Sequence, residues 1–336
     1  MKKYLVLATM GLTVLAGCSN NDFGESPVVT AGETPIVVQT GVATKAVVAT
    51  GDEVTATFTL ISSETEPKAD DWNAFVPRKA NVLGEDGAFA DYSTDAANVS
   101  TGVFSANTTA QVISFNPVLY YNKKVAAEHA YLVGVAPSGT VSTGGNLTFS
   151  VKDGEQDVMY ASQIDKGGAS EAETNENVFT FNHQTGQVSF KVNKEEAITD
   201  LVTVKNIKLK SVQLPVSIKL ADGTVTYDTQ ADLTLPNVIN SQAVSVEGVA
   251  TGNPVMIAPI AALNIDVTIA IKGVEKTYSN VPVTFTDTKG TGVTKGNASL
   301  VTITVKEPTT STETSVTAKA TVVAWGTGNS GQVDLN

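Results

Sequence analysis

The amino-acid sequence predicts an all-β fold, and three observations carry that expectation. Apolar and hydroxyl residues alternate in short runs, β-branched side chains dominate those runs, and glycine-containing turns separate them. Val54-Thr-Ala-Thr-Phe58-Thr-Leu60 shows the alternation well, with one face for a core and one for a hydroxyl-lined surface. Runs of the same kind recur at 111–115, 130–135, 146–151, 178–181 and 187–192. They continue at 202–212, 216–220, 254–257, 264–271, 277–285, 300–305 and 315–325. Between them stand turn pairs such as Asp86-Gly87, Pro137-Ser-Gly139, Asp153-Gly154, Asp222-Gly223 and Lys289-Gly290. Only 194–201 reads as helical, over about one turn. Many short strands between such turns imply sandwiches or barrels.

The N-terminus has a different logic. Met1-Lys2-Lys3 supplies positive charge, Tyr4 to Leu15 is almost wholly apolar, and Leu15-Ala16-Gly17-Cys18 closes the run with small residues. That order is a signal peptide over 1–17, too short in its apolar part to span a bilayer stably. Cys18, the only cysteine, stands where a lipobox needs it. Its thiol can carry a diacylglycerol and become the lipidated first residue after cleavage. An ordinary signal peptide with a chance cysteine is the weaker alternative. The residues after Cys18 are polar and read as a tether. Asp22 in that stretch resembles the surface-export signal of Bacteroidota lipoproteins.

With Cys18 consumed by lipid, the mature chain can form no disulfide and its core alone must hold the fold. The 336 residues suffice for two domains. A net charge of −12, with Arg78 the single arginine, argues against nucleic acid. No second apolar segment is long enough to cross a membrane. A polar, acidic, glycine-containing interruption over 165–177 divides the strands into an N-terminal sandwich at 46–168 and a C-terminal one at 174–336. One large sandwich with a long loop is the alternative.

Catalytic chemistry finds little purchase. His129 and His183 are the only histidines, and no Gly-x-Ser-x-Gly elbow or phosphate-binding glycine loop occurs. Two distant histidines without a cysteine make a weak zinc set, so no metal is expected. Asp153-Gly-Glu155-Gln-Asp157 offers oxygen ligands without EF-hand spacing and reads as a solvated turn. No cofactor and no enzymatic activity are expected.

Several motifs, in order, carry a resemblance. They are Tyr131-Leu-Val-Gly-Val-Ala-Pro137, Asp157-Val-Met-Tyr160-Ala161, Phe179-Thr-Phe-Asn-His183-Gln-Thr-Gly-Gln-Val-Ser-Phe190, Met256-Ile-Ala-Pro259 and Thr321-Val-Val-Ala-Trp325. With the lipobox and the acidic all-β chain, they resemble the fimbrillin family, the type V pilins of Bacteroidales. The resemblance implies two transthyretin-like β-sandwich domains and a structural subunit, shaft or tip, of a surface fimbria that supports adhesion. It implies export as an outer-membrane lipoprotein, with other fimbrial subunits and a host or bacterial surface ligand as partners. A trypsin-like protease then removes the segment that holds the first strand, and a C-terminal strand of the next subunit fills the groove.

On this chain the lipidated tether and removable strand occupy 18–45. The resemblance implies that the displaced strand is Pro35-Ile-Val-Val-Gln-Thr-Gly-Val42, that the cut falls between Lys45 and Ala46, and that the donor is 315–325, with or without 326–336. Lysine at 45 departs from the arginine that the best-known family proteases prefer, and Arg78-Lys79 is the alternative cut. The runner-up is a surface lipoprotein that never polymerises: a fimbrial anchor, or a binder of glycan or host ligand through exposed aromatics around Trp72 and Phe75.

Overall fold

In the computed structural model, strand alternation among the described residues resolves into two eight-stranded sheets and one of four strands. The structure describes residues 35–42, 53–78, 97–105, 111–113, 115–122, 125, 127–150, 153–169, 178–285, 292–307 and 315–324. Among these the single helix is α1 (Ala69–Asn73), so the chain is all-β.

The first sheet draws on β1 (Val38–Val42), β2 (Glu53–Ser63), β3 (Val99–Ser105), β4 (Gln111–Ile113), β5 (Phe115–Asn116), β6 (His129–Ala136), β9 (Met159–Asp165) and β10 (Val178–His183). Its order is β4-β1-β10-β9-β6-β2-β3-β5. The sheet curls until its ends approach. Gln111 on β4 exchanges hydrogen bonds with the backbone of Ser105 on β3. Alternation sends Val54, Ala56, Phe58 and Leu60 of β2 into an inner core with Phe104, Phe179 and Phe181. Phe58 is its hub, with edge-on ring contacts to Phe115, Phe179 and Phe181 at 5.1, 5.3 and 6.0 Å.

The second sheet contains β11 (Gly186–Lys194), β12 (Val202–Val212), β15 (Ala231–Thr234), β16 (Val249–Ile257), β17 (Asn264–Ile271), β18 (Val274–Phe285), β19 (Asn297–Lys306) and β20 (Ser315–Ala324). In the order β15-β12-β17-β18-β20-β19-β11-β16 it encloses an aliphatic core that includes Val204, Ile207, Leu209, Val267, Ile269 and Ile303.

The small sheet joins the two halves. A hairpin of the first half, β7 (Thr140–Ser142) and β8 (Asn146–Thr148), pairs with a hairpin of the second, β13 (Pro215–Lys219) and β14 (Val225–Tyr227), in the order β14-β13-β8-β7. The seam runs antiparallel, Ser217 opposite Thr148, Ile218 opposite Leu147 and Lys219 opposite Asn146. It lies over the outer face of the first sheet, where Val133, Val135 and Tyr160 form a separate core with Trp72, Leu147 and Ile218. Two glycines permit that fit. Gly145 (φ +65°) would drive a Cβ to 2.0 Å from the Trp72 carbonyl oxygen. Gly223 (φ +70°) would place one 2.5 Å from the Tyr160 ring.

Several expectations need adjusting. β10 falls in the second block of the sequence split, yet it pairs with β9 and β1 in the first sheet. The chain therefore passes between the two large sheets at Gln184-Thr185, after His183 and before Gly186. The polar stretch at 165–177 instead connects two strands of one sheet, because β9 and β10 pair. The 194–201 stretch is a turn, with the Ile198 N–H donating to the Glu195 carbonyl at 3.0 Å. The α1 helix went unread because five residues are too few for periodicity to register. A local cap and a buried anchor hold it: Asp71 accepts from the Lys68 N–H at 2.7 Å, and Trp72 is buried. That burial also overturns the expected aromatic pocket. Trp72 and Phe75 are 2% and 4% exposed, and they stack on each other beneath the small sheet.

Candidate functional site

The site on which the sequence places most weight is the slot that holds the first strand. β1 lies between two strands remote from it in sequence. It runs parallel to β10, Gln39 opposite Val178 through Val42 opposite Phe181. It runs antiparallel to β4, Val38 opposite Ile113 through Thr40 opposite Gln111. Just ahead, the Ile36 N–H donates to the Leu119 carbonyl at 2.8 Å and Pro35 bridges to Tyr120. Ile36, Val38 and Thr40 point inward and are buried, while Val37 and Gln39 face out. Both backbone edges are thus paired and one side-chain face is sealed. Taking β1 away would unpair the facing edges of β10 and β4 and wet the inner core beside Ile113 and Phe181.

The fit is imperfect at one atom. Thr40 is fully buried (0% exposed), and its Oγ1 has no hydrogen-bond partner among the described residues. A buried hydroxyl left unpaired costs about 1–3 kcal/mol, so it loosens the strand at its centre. Thr40→Val keeps the shape and removes the polar atom. It is expected to raise stability by about 1 kcal/mol and to slow hydrogen exchange in β1, a comparison open to amide-exchange mass spectrometry.

Cys18, Lys45 and Ala46 lie outside the described residues. Arg78, the alternative cut, is half-buried and tied down. Its N–H donates to Asn98 Oδ1 at 2.6 Å, and its carbonyl accepts from the Asn98 N–H at 3.3 Å. Cleavage there requires local opening of paired backbone. The donor expectation meets a filled position as well. β20 pairs with β19 along its whole length, Asn297 opposite Ala324 through Lys306 opposite Ser315. It also pairs in parallel with β18 at Val283 opposite Ala318 through Phe285 opposite Ala320. Trp325 and 326–336 lie outside the described residues.

The histidines are placed structurally. His129 opens β6, with Nδ1 2.9 Å from Asp165 Oδ2 and its ring stacked on Tyr131. His183 is buried where β10 ends, with Nδ1 2.9 Å from Asp157 Oδ1. No group of three or more His, Cys, Asp or Glu is placed to hold a metal ion among the described residues.

Two tyrosines pin the passage between the halves, and the sequence did not single them out for that role. Tyr160 on β9 donates to the Leu220 carbonyl at 2.8 Å, and Tyr227 on β14 donates to the Gln184 carbonyl at 3.2 Å. Burial pushes both phenols up to about 12, with the Asp222 charge adding to the effect at Tyr160. A phenol with a raised folded pKa keeps its proton after the unfolded chain has lost it. The contribution is complete below pH about 10 and disappears as pH rises towards 12. Stability is expected to fall across that window, by about 2 kcal/mol at the buried Tyr160 and by less at the half-buried Tyr227, where solvent screens the effect. Urea midpoints measured against pH check this, and Tyr160→Phe should flatten the slope.

These features define an all-β protein of two curled sheets whose first strand fills a slot between sequence-remote neighbours. A family model described as fimbrillin-like matches residues 78–325, most of the chain, and the chain belongs to that family. Among solved structures, the fold is similar to a candidate cell adhesion protein from Bacteroides uniformis. That pair has 13% identity and a TM-score of 0.50, with 87% of this chain and 99% of that one covered. A candidate cell adhesion protein from Bacteroides ovatus is similar too, with 12% identity and a TM-score of 0.50, covering 89% and 100%. At such identities the likeness is one of fold. None of the curated proteins compared with the chain matches it.

Proposed function

We propose that this protein is a structural subunit, shaft or tip, of a surface fimbria that supports adhesion, and that it is not an enzyme. It is exported as a lipoprotein on Cys18, reaches the cell surface on the outer membrane, and polymerises by donor-strand exchange once the segment up to Lys45 is removed. The observation that carries this reading is the seating of β1, with Ile36, Val38 and Thr40 buried between β10 and β4. A strand that completes a sheet from outside its local sequence can be replaced by another of the same alternation. Fimbrillin-like family membership points the same way.

Trypsin treatment of the purified chain, followed by sedimentation and N-terminal sequencing, tests it. Loss of the first 45 residues with growth into polymer is expected. Protein that starts at Ala46 and stays monomeric at high concentration would count against the reading.

One observation favours the second reading, a lipoprotein that never polymerises, such as a fimbrial anchor. The donor candidate β20 is already paired on both edges within its own sheet. A glycan-binding version loses its motive, since Trp72 and Phe75 are buried.

A further inference from the structure

We propose that the hairpin arm of the second half, β13–β14, holds the first sheet folded while the first-strand slot is empty. The proposal rests on the reading that β1 leaves its slot, and concerns what survives when it does. The central strands of the first sheet are buried on both faces, against two different cores. Along β6, Ala130, Leu132 and Ala136 face the inner core that includes Ile36 and Val38. Val133 and Val135 face the outer core built on Trp72, Leu147 and Ile218. β9 is split likewise, Met159 and Ala161 inward and Tyr160 outward.

No residue of β1 belongs to the outer core. Losing β1 therefore strips contacts from one face only. The opposite face keeps α1, β7–β8 and the arm, which brings Ile218 and Leu220 from the second half. Hydrogen bonds fix the arm in place: Leu220 N–H to Gly145 O at 2.9 Å, Phe149 N–H to Val216 O at 3.0 Å, and the Tyr160 hydroxyl to Leu220 O at 2.8 Å. Gly223 lets the arm's turn lie on the Tyr160 ring. A sheet with one open core is prone to collapse or aggregation, and a second core anchored in the other half opposes that.

A two-by-two set of full-length variants tests the proposal without a protease. Ile36→Asp with Val38→Asp empties the slot, because unpaired carboxylates cannot stay in that core. Gly223→Val displaces the arm by its steric clash with Tyr160. Amide exchange on β6 and β9 is the readout. The slot variant should lose protection in β1 yet keep β6 and β9 within about tenfold of the parent. The arm variant alone should also keep them. The combined variant should lose that protection almost entirely, by far more than the product of the single losses. Tyr160→Phe, a milder change that deletes one bond, should act in the same direction with the slot variant.

Loss of β6 and β9 protection in either single variant, or its retention in the combined one, would overturn the proposal. Because substitution empties the slot, these results stand apart from whether β1 is removed by proteolysis.

Discussion

Replacing Phe58 with alanine is expected to lower stability by about 3–5 kcal/mol. Phe58 is fully buried and touches three other rings, so its removal takes away transfer energy and ring contacts together. The surroundings are poorly placed to refill the space. Gly102 on β3 and Gly134 on β6 already bring their backbones close to this ring, each at a distance where a Cβ would press on it. Sheet hydrogen bonds on both sides of β2 hold those backbones where they are. Urea denaturation checks the size of the loss. Val112→Ala on the outward face of β4 is the control, and a change within about 0.5 kcal/mol is expected there.

Shortening the C-terminus is expected to have two sharply different outcomes. A chain ending at residue 314 lacks β20, which leaves an edge of β19 and residues Val283 to Phe285 of β18 without their partner strand. It also removes Ala318 from the second core. This chain should fail to fold its second sheet and should accumulate as aggregate, since long unpaired apolar edges pair with other chains. A chain ending at Ala324 keeps the whole sheet and should match the parent in urea.

The same pair of truncations separates two versions of the donor. If β20 itself is donated, it must first leave a ladder 10 residues long, and the chain ending at Ala324 still polymerises after trypsin treatment. If 326–336 and the adjoining Trp325 are donated, that chain stays monomeric. The pairing of β20 with β19 along its whole length leads us to expect the monomer.

Much of the fold was legible because strand alternation survives in single sequences. The β2 pattern Val54, Ala56, Phe58, Leu60 gave its inner face directly, and most of the second sheet followed from runs such as 202–212 and 264–271. The reading failed where an element owes its form to something distant. β3, Val99–Ser105, was missed because Gly102 and Ser100 interrupt its apolar face, a gap that Ile113 and Phe58 fill from neighbouring strands. The small sheet was invisible as a unit, since β8 and β13 meet only through their pairing in space.

The split at 165–177 followed composition, whereas the chain passes between sheets at Gln184-Thr185, in the gap between the runs at 178–181 and 187–192. Trp72 looked like an exposed aromatic because nothing local announces the hairpins that cover it. At the candidate site, the family resemblance marked 35–42 as the first strand, whereas the inward set Ile36, Val38 and Thr40 and the partners β10 and β4 came with the structure, because Ile36-Val37-Val38 is apolar on both faces.

On the proposed function, the first strand is a temporary occupant of its slot, delivered by the lipid on Cys18 and removed with it. The most direct test is the N-terminal residue and lipid status of the protein recovered from surface fibres. Ala46 as first residue, with no acylated Cys18 in the polymer, is the predicted result. Polymer whose subunits retain acyl-Cys18 and residues 35–42 would rule out removal of the strand.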